Sequence, residues 1–264
     1  MLTATRRGRI THRDDAVIWA AAAIAWALAL LFAALGRGNL LMDHDALFED
    51  RTLGWPLAIV LFLATWQVMT AAMMLPSSLP MMQIFFRVSR RHEEPRLAFG
   101  LFLLGYFAVW TGFAVVALGG DAALHWLVDH WSWLAARPWL IGGTVLVLAG
   151  AFQFSPLKER CLDACRDPLA FLWRHYARGP GTAWWLGIRH GLFCLGCCWA
   201  LMLTMFAVGV GSLAWMAGLT GLMVIEKTSP RGRRLVPVAG VTLIVWGVLM
   251  VIQPGWLPGL PRDA

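Results

Sequence analysis

Charge is what this sequence has least of. Asp, Glu, Lys and Arg make up only 14% of its 264 residues, against about 25% in soluble domains. Too few charged groups remain to cover a water-facing surface, so an ordinary soluble globule is excluded. Several catalytic signatures are missing as well. There is no P-loop, no dinucleotide glycine fingerprint, no His-Glu-x-x-His and no Gly-x-Ser-x-Gly, so ATP-driven transport by this chain and the common hydrolase mechanisms have no support. No low-complexity tract and no repeat at a fixed period occurs, which removes disorder, collagen and solenoids.

What the chain does have is apolar length. Hydrophobic residues make up 59% of it and come in uninterrupted blocks of about 16 to 24, close to the ~20 residues an α-helix needs to cross ~30 Å of hydrocarbon. The alternation of a membrane β-barrel is missing. The expectation is therefore an all-α, polytopic membrane helix bundle forming a single domain over 1–264. Seven spans are expected, near residues 16–36, 55–75 (continuing past Pro76 and Pro80 to about 86), 97–118, 138–154, 185–208, 211–226 and 235–253. The first is longer than the apolar core of a secretory signal and no clear cleavage site follows, so it reads as a retained anchor.

Lys and Arg set the orientation. Seventeen fall in the N-terminus and the loops 87–96, 155–183 and 227–234, and four in the alternate loops and the C-terminus, with Arg189 at a span end. The positive-inside rule then places the N-terminus in the cytoplasm and the C-terminus outside. The net charge of +7 is distributed as topology requires, so attraction to anionic lipid explains it and a nucleic-acid partner is discounted.

Two loops have helical character. In 121–134 the polar residues Asp121, His125, Asp129 and Ser132 recur every three or four positions among Trp126, Trp131 and Trp133, which predicts a short helix lying in the outer interface. Ser155-Pro156 reads as an N-cap followed by proline, opening a short cytoplasmic helix that ends near Arg166. The acidic stretch Asp43-His44-Asp45 with Glu49 and Asp50, and the His125/Asp129/His130 group, read as solvated loop faces. Glu226-Lys227 reads as a helix terminus at the inner interface.

The densest chemistry lies in the fifth span. With 3.6 residues per turn, His190, Cys194, Cys197, Cys198, Leu201 and Met205 share one stripe, with Met202 at its edge. Imidazole, thiol and thioether on one face match the soft donors that select Cu(I), with zinc and iron–sulfur clusters as other users of thiolate. A monovalent ion also limits the charge placed in hydrocarbon. Packing stays open as an alternative, since Cys and Met are common packing residues. The second span offers Met69 and Met73 on one face, at a depth matching Cys194 when ~1.5 Å per residue is counted from each span end. Its two prolines leave backbone carbonyls that need a neighbour, a cavity or an ion. Cys161 and Cys165 lie four apart in the cytoplasmic helix, on the side of Leu157, and are candidates for transient metal transfer or for burial against the bundle.

Three segments carry a resemblance. They are MTAAMMLPSSLPM from Met69 to Met81, SPLKERCLDACR from Ser155 to Arg166, and HGLFCLGCCWALM from His190 to Met202, followed by Met205-Phe-Ala-Val-Gly209 and Glu226-Lys227. Together they resemble a bacterial family of predicted metal-binding integral membrane proteins, over nearly all of the chain beyond the first span. The resemblance agrees with Cys194, Cys197, Cys198 and Met202 as ligands and implies neither substrate nor reaction. The leading expectation is a bacterial inner-membrane protein that binds Cu(I) for trafficking, insertion or efflux, in contact with lipid, the metal ion and membrane or periplasmic protein partners. Two other readings stay open: a membrane thiol oxidoreductase using Cys194 and Cys197, whose Cys-x-x-Cys spacing suits a redox dithiol, and a structural subunit without chemistry of its own.

Overall fold

Proline opens the helices of this chain. In a computed structural model describing residues 12–34, 54–90, 94–176, 179–208 and 213–253, six helices carry it at their first or second position. There its missing N–H is not needed and its fixed φ suits the first turn. The helices are α1 (His12–Ala34), α2 (Trp55–Ser89), α3 (Pro95–His130), α4 (Ser132–Ala135), α5 (Pro138–Phe152), α6 (Pro156–Arg166), α7 (Pro168–His175), α8 (Pro180–Val208), α9 (Leu213–Thr228) and α10 (Gly232–Ile252). No strand occurs among the described residues.

Four of them, α2, α3, α8 and α10, are long and apolar enough to cross a membrane, and α5 with α6 becomes a fifth if the pair, bent by 64°, is taken as one broken span. Large apolar side chains such as Ile24, Val60, Leu104, Val116, Leu148 and Val241 lie exposed on the outside of the bundle. Such a surface is compatible with a lipid environment and costly in water.

Prolines inside α2 do not end it. Pro76 and Pro80 both lie within the continuous helix Trp55–Ser89, as the expected continuation past them requires. Pro76 cannot donate to the carbonyl of Ala72 one turn earlier. That carbonyl instead accepts from the indole Nε1 of Trp26 in α1, at 3.0 Å, so the neighbour that the sequence demanded is the first helix.

The core is built around α8. Of the span-length helices it is the most deeply embedded, with 56% of its apolar window buried against 39% or less in α2, α3 and α10. It packs chiefly on α3, with α6 and α5 on other faces, while α1 and α9 pack on α2 and α10 packs on α5. Small residues allow the closest crossing: a Cβ on Gly187 would stand 2.0 Å from the carbonyl oxygen of Phe102, and one on Gly105 2.3 Å from that of Trp184. Only glycine lets two helix backbones approach this closely.

Two expectations change here. The segment 121–134 is not a separate interfacial helix: α3 runs unbroken to His130, with only the single turn α4 beyond it. Neither proline nor a cap interrupts the chain at Gly119-Gly120, and His125 pairs with Asp121 one turn back, which favours continuation. The Cys161/Cys165 face of α6 is not the face of Leu157, which is exposed, whereas Lys158, Cys161, Leu162 and Cys165 turn inward. The acidic stretch Asp43 to Asp50 and the C-terminal residues lie outside the described residues.

Candidate functional site

The stripe expected on the fifth span is present and buried. His190, Cys194, Cys197, Cys198, Leu201, Met202 and Met205 of α8 are all 2% exposed or less. Its members do not converge on one point, because side chains three and four residues apart on a helix fan across an arc. Cys197 and Cys198 both donate back to the carbonyl of Cys194, at 3.0 and 2.8 Å. Beyond that, their thiols diverge toward different helices.

Cys194 faces a polar nest drawn from three other helices. Its Sγ lies 3.1 Å from the phenol of Tyr106 in α3, 3.6 Å from Ser78 Oγ in α2 and 3.1 Å from Lys227 Nζ in α9. Lys227 also donates to Ser77 Oγ at 3.0 Å, and Ser78 bonds the Tyr106 phenol at 3.1 Å. An ammonium in this position meets a sulfur that, as a thiolate, can match its charge, which is what a buried cation requires.

Cys198 faces α2, where its Sγ approaches Met74 Sδ at 3.8 Å. Cys197 turns toward α6 and meets Cys165 with the two sulfurs 4.0 Å apart. All five cysteines are free thiols. His190 is held among aromatics, its ring stacked on Tyr106 at 5.5 Å and on Phe102 at 6.0 Å. Its Nε2 is buried without a hydrogen-bond partner.

Met69 and Met73 are placed less centrally than their spacing implied. Met69 is only half-buried, against the cluster of Phe62, Trp66 and Ala114, while Met73 is fully buried. The methionine that touches a thiol is Met74, next in the chain. The second and fifth spans do meet through Met74, Ser78, Cys194 and Cys198, but their backbones are not closely packed; α3 and α9 stand beside α2, and α3, α5 and α6 beside α8.

A second buried polar group lies where α6 crosses α9. Lys158 Nζ is 2.8 Å from Glu226 Oε2 and also bonds Gln153 Oε1. Arg166 of α6 donates to the carbonyls of Glu226 and Ser229. Lys158, Glu226 and Lys227 are each 5% exposed or less, so Glu226-Lys227 lies at the end of α9, as expected, but is buried there. The reason is α6, which folds back over the end of α9 and seals it.

Among the described residues, no three His, Cys, Asp or Glu side chains are grouped so as to hold a metal ion. The donors that do approach each other are pairs of sulfurs. A hard cation wants several oxygen ligands in a cage, and that chemistry is not offered here. Pairs of soft donors suit low-coordinate Cu(I).

Comparison with known proteins supplies one match. A search of curated proteins and a search of solved structures returned no match. The family model of PpoB2, described as a copper chaperone, matches residues 63–250, a stretch that runs from α2 into α10 and includes every cysteine, Lys158, Glu226 and Lys227. With more than two thirds of its length matched, and soft sulfur pairs at the centre of the matched region, the chain belongs to the PpoB2 copper chaperone family.

Proposed function

We propose that this protein binds Cu(I) inside a bacterial inner membrane and passes it to a membrane or periplasmic protein. In this reading seven helices span the bilayer, with the N-terminus in the cytoplasm and the C-terminus outside. Arg166 tying α6 to the end of α9 supports that arrangement, since it joins two loops that the basic-residue bias puts on the same, cytoplasmic, side.

The observation that carries the reading is the pair Cys198 Sγ and Met74 Sδ at 3.8 Å, with Cys194 one turn away on the same helix. A thiolate and a thioether are soft donors, and soft donors select Cu(I) over the harder divalent ions. Cys194, Cys197, Cys198 and Met202 provide the α8 ligand face, with Met205, Met69 and Met73 as further thioethers nearby in the bundle. His190 contributes an orphaned Nε2, which a metal or its escort could satisfy. Lys227 supplies a positive charge beside Cys194, so that a thiolate-rich site does not leave net negative charge in the hydrocarbon.

The test is metal retention. Wild type and the Cys194→Ser/Cys197→Ser variant are purified in detergent under reducing conditions, loaded with Cu(I) against a competing chelator, and assayed for copper per chain. Serine nearly preserves volume while removing the soft donor, so the variant folds but holds copper at least tenfold more weakly. Equal, stoichiometric copper in both proteins would exclude these thiols as essential ligands, and no copper in the wild type would overturn the reading.

A further inference from the structure

The thiols of Cys165 and Cys197 lie at the contact of α6 with α8, away from the Cys198–Met74 pair. Their sulfurs are 4.0 Å apart. A disulfide needs about 2.05 Å, so the two are not bonded. Metal–thiolate bonds of about 2.3 Å place two sulfurs on either side of one ion at most ~4.6 Å apart, and 4.0 Å lies within that reach. The contact is tight because residue 196 has no side chain: a Cβ there would stand 2.5 Å from Cys161 Sγ. Glycine between Leu195 and Cys197 thus lets α6 settle onto α8 and brings Cys165 to Cys197.

Accessibility differs across the pair. Cys165 and its neighbour Cys161 keep 8% and 7% exposure, whereas the three α8 cysteines are at 1% or below. A cleft of ≈430 Å³ opens between α6, α7 and α8, lined by Arg160, Asp163, Ala164, Asp167, Phe171 and Phe193 among others. Ala164 and Phe193 are the chain neighbours of Cys165 and Cys194.

Resting on the Cu(I) reading above, we propose that Cys165 and Cys197 form a second, two-thiolate Cu(I) site, the one that communicates with the α6 face of the protein. Two thiolates around Cu(I) carry a net charge of −1, and the Lys227 ammonium on Cys194, one helical turn from Cys197, offsets it. Cys194 stands between the two sites, sharing its carbonyl with both Cys197 and Cys198. Two sulfur pairs, Cys165–Cys197 toward α6 and Cys198–Met74 toward α2, thus flank Cys194 on α8.

The experiment counts copper. The full chain in detergent, reduced, is titrated with Cu(I) against a chelator, and bound copper per chain is measured for wild type, Cys165→Ser, Cys165→Ala, Cys161→Ser and Cys198→Ser/Met74→Leu, each checked for a monodisperse fold. The expected result is two Cu(I) in wild type and in Cys161→Ser, and one in both Cys165 variants. Cys198→Ser/Met74→Leu keeps one, which is then lost when Cys165→Ala is added. Wild type holding one copper that survives Cys165→Ser and Cys165→Ala would overturn the second site and leave the first intact. A wild type that holds none would overturn the Cu(I) reading itself.

Discussion

Lys227 Nζ lies 3.1 Å from Cys194 Sγ, while the preceding residue, Glu226, bonds Lys158 instead. The amine is 5% exposed and the thiol fully buried, so each group depends on the other for its polar environment. Removing the sulfur leaves a buried ammonium with Ser77 as its remaining partner, whereas removing both leaves no buried charge there. Cys194→Ala should therefore destabilise the wild type by about 1.5–3 kcal/mol more than it destabilises a Lys227→Met background. Reversible unfolding of the four proteins in mixed micelles checks this, and equal penalties in the two backgrounds would show that the contact carries no coupling.

Adjacent methionines give a sharper test of the copper reading. Met→Leu conserves volume and removes only the sulfur. Met74→Leu should weaken Cu(I) binding by about tenfold, equivalent to ~1.4 kcal/mol, while Met73→Leu changes it less than twofold. Competition against a Cu(I) chelator measures both; a larger loss from Met73→Leu would move the site to the other face of α2.

The ion pair beneath α6 predicts an order of stability. Lys158 and Glu226 are 2.8 Å apart and almost wholly buried, and breaking such a pair from one side typically costs about 3–5 kcal/mol, because the remaining charge is stranded. Lys158→Met alone should lower the yield of folded protein severely, and Lys158→Met/Glu226→Leu should restore much of it. Fluorescence size-exclusion chromatography of detergent extracts reads the difference.

Topology is tested with reporter fusions. Fusions after Arg91 and after Arg234 should report the cytoplasm, and fusions after Asp45 and at Ala264 the outside. A cytoplasmic signal at Ala264 would remove the seven-span arrangement.

Helical periodicity made the α8 stripe legible, since a buried face on a central helix repeats its sequence spacing in space. The proline-opened helices and the Ser155 cap, whose Oγ accepts from Lys158 N at 3.1 Å, were readable for the same local reason. Partners across helices were not. Whether Met73 or Met74 reaches Cys198 depends on how α2 is rotated about its axis, and adjacent residues differ by about 100°. Tyr106, one of only two tyrosines in the chain, was the best unused signal, because a phenol within an apolar span needs a polar partner. The burial of Glu226 and Lys227 was not readable because it comes from α6 folding over them, a long-range event with no trace in the spacing of either helix. The same folding turned Cys165 toward Cys197.

The indole of Trp26 on the carbonyl of Ala72 changes what the first helix is for. α1 precedes the stretch 63–250 that the family model matches, and by position it could pass for a detachable anchor. Yet Pro76 leaves the helix beneath it with a hole in its hydrogen-bond ladder, and the plug for that hole is carried on α1. A chain trimmed to its matched portion would leave that carbonyl without its partner, at a cost of several kcal/mol where it stays shielded from water. α1 therefore acts as a stopper for α2, and a minimal version of this protein must keep it or replace Pro76.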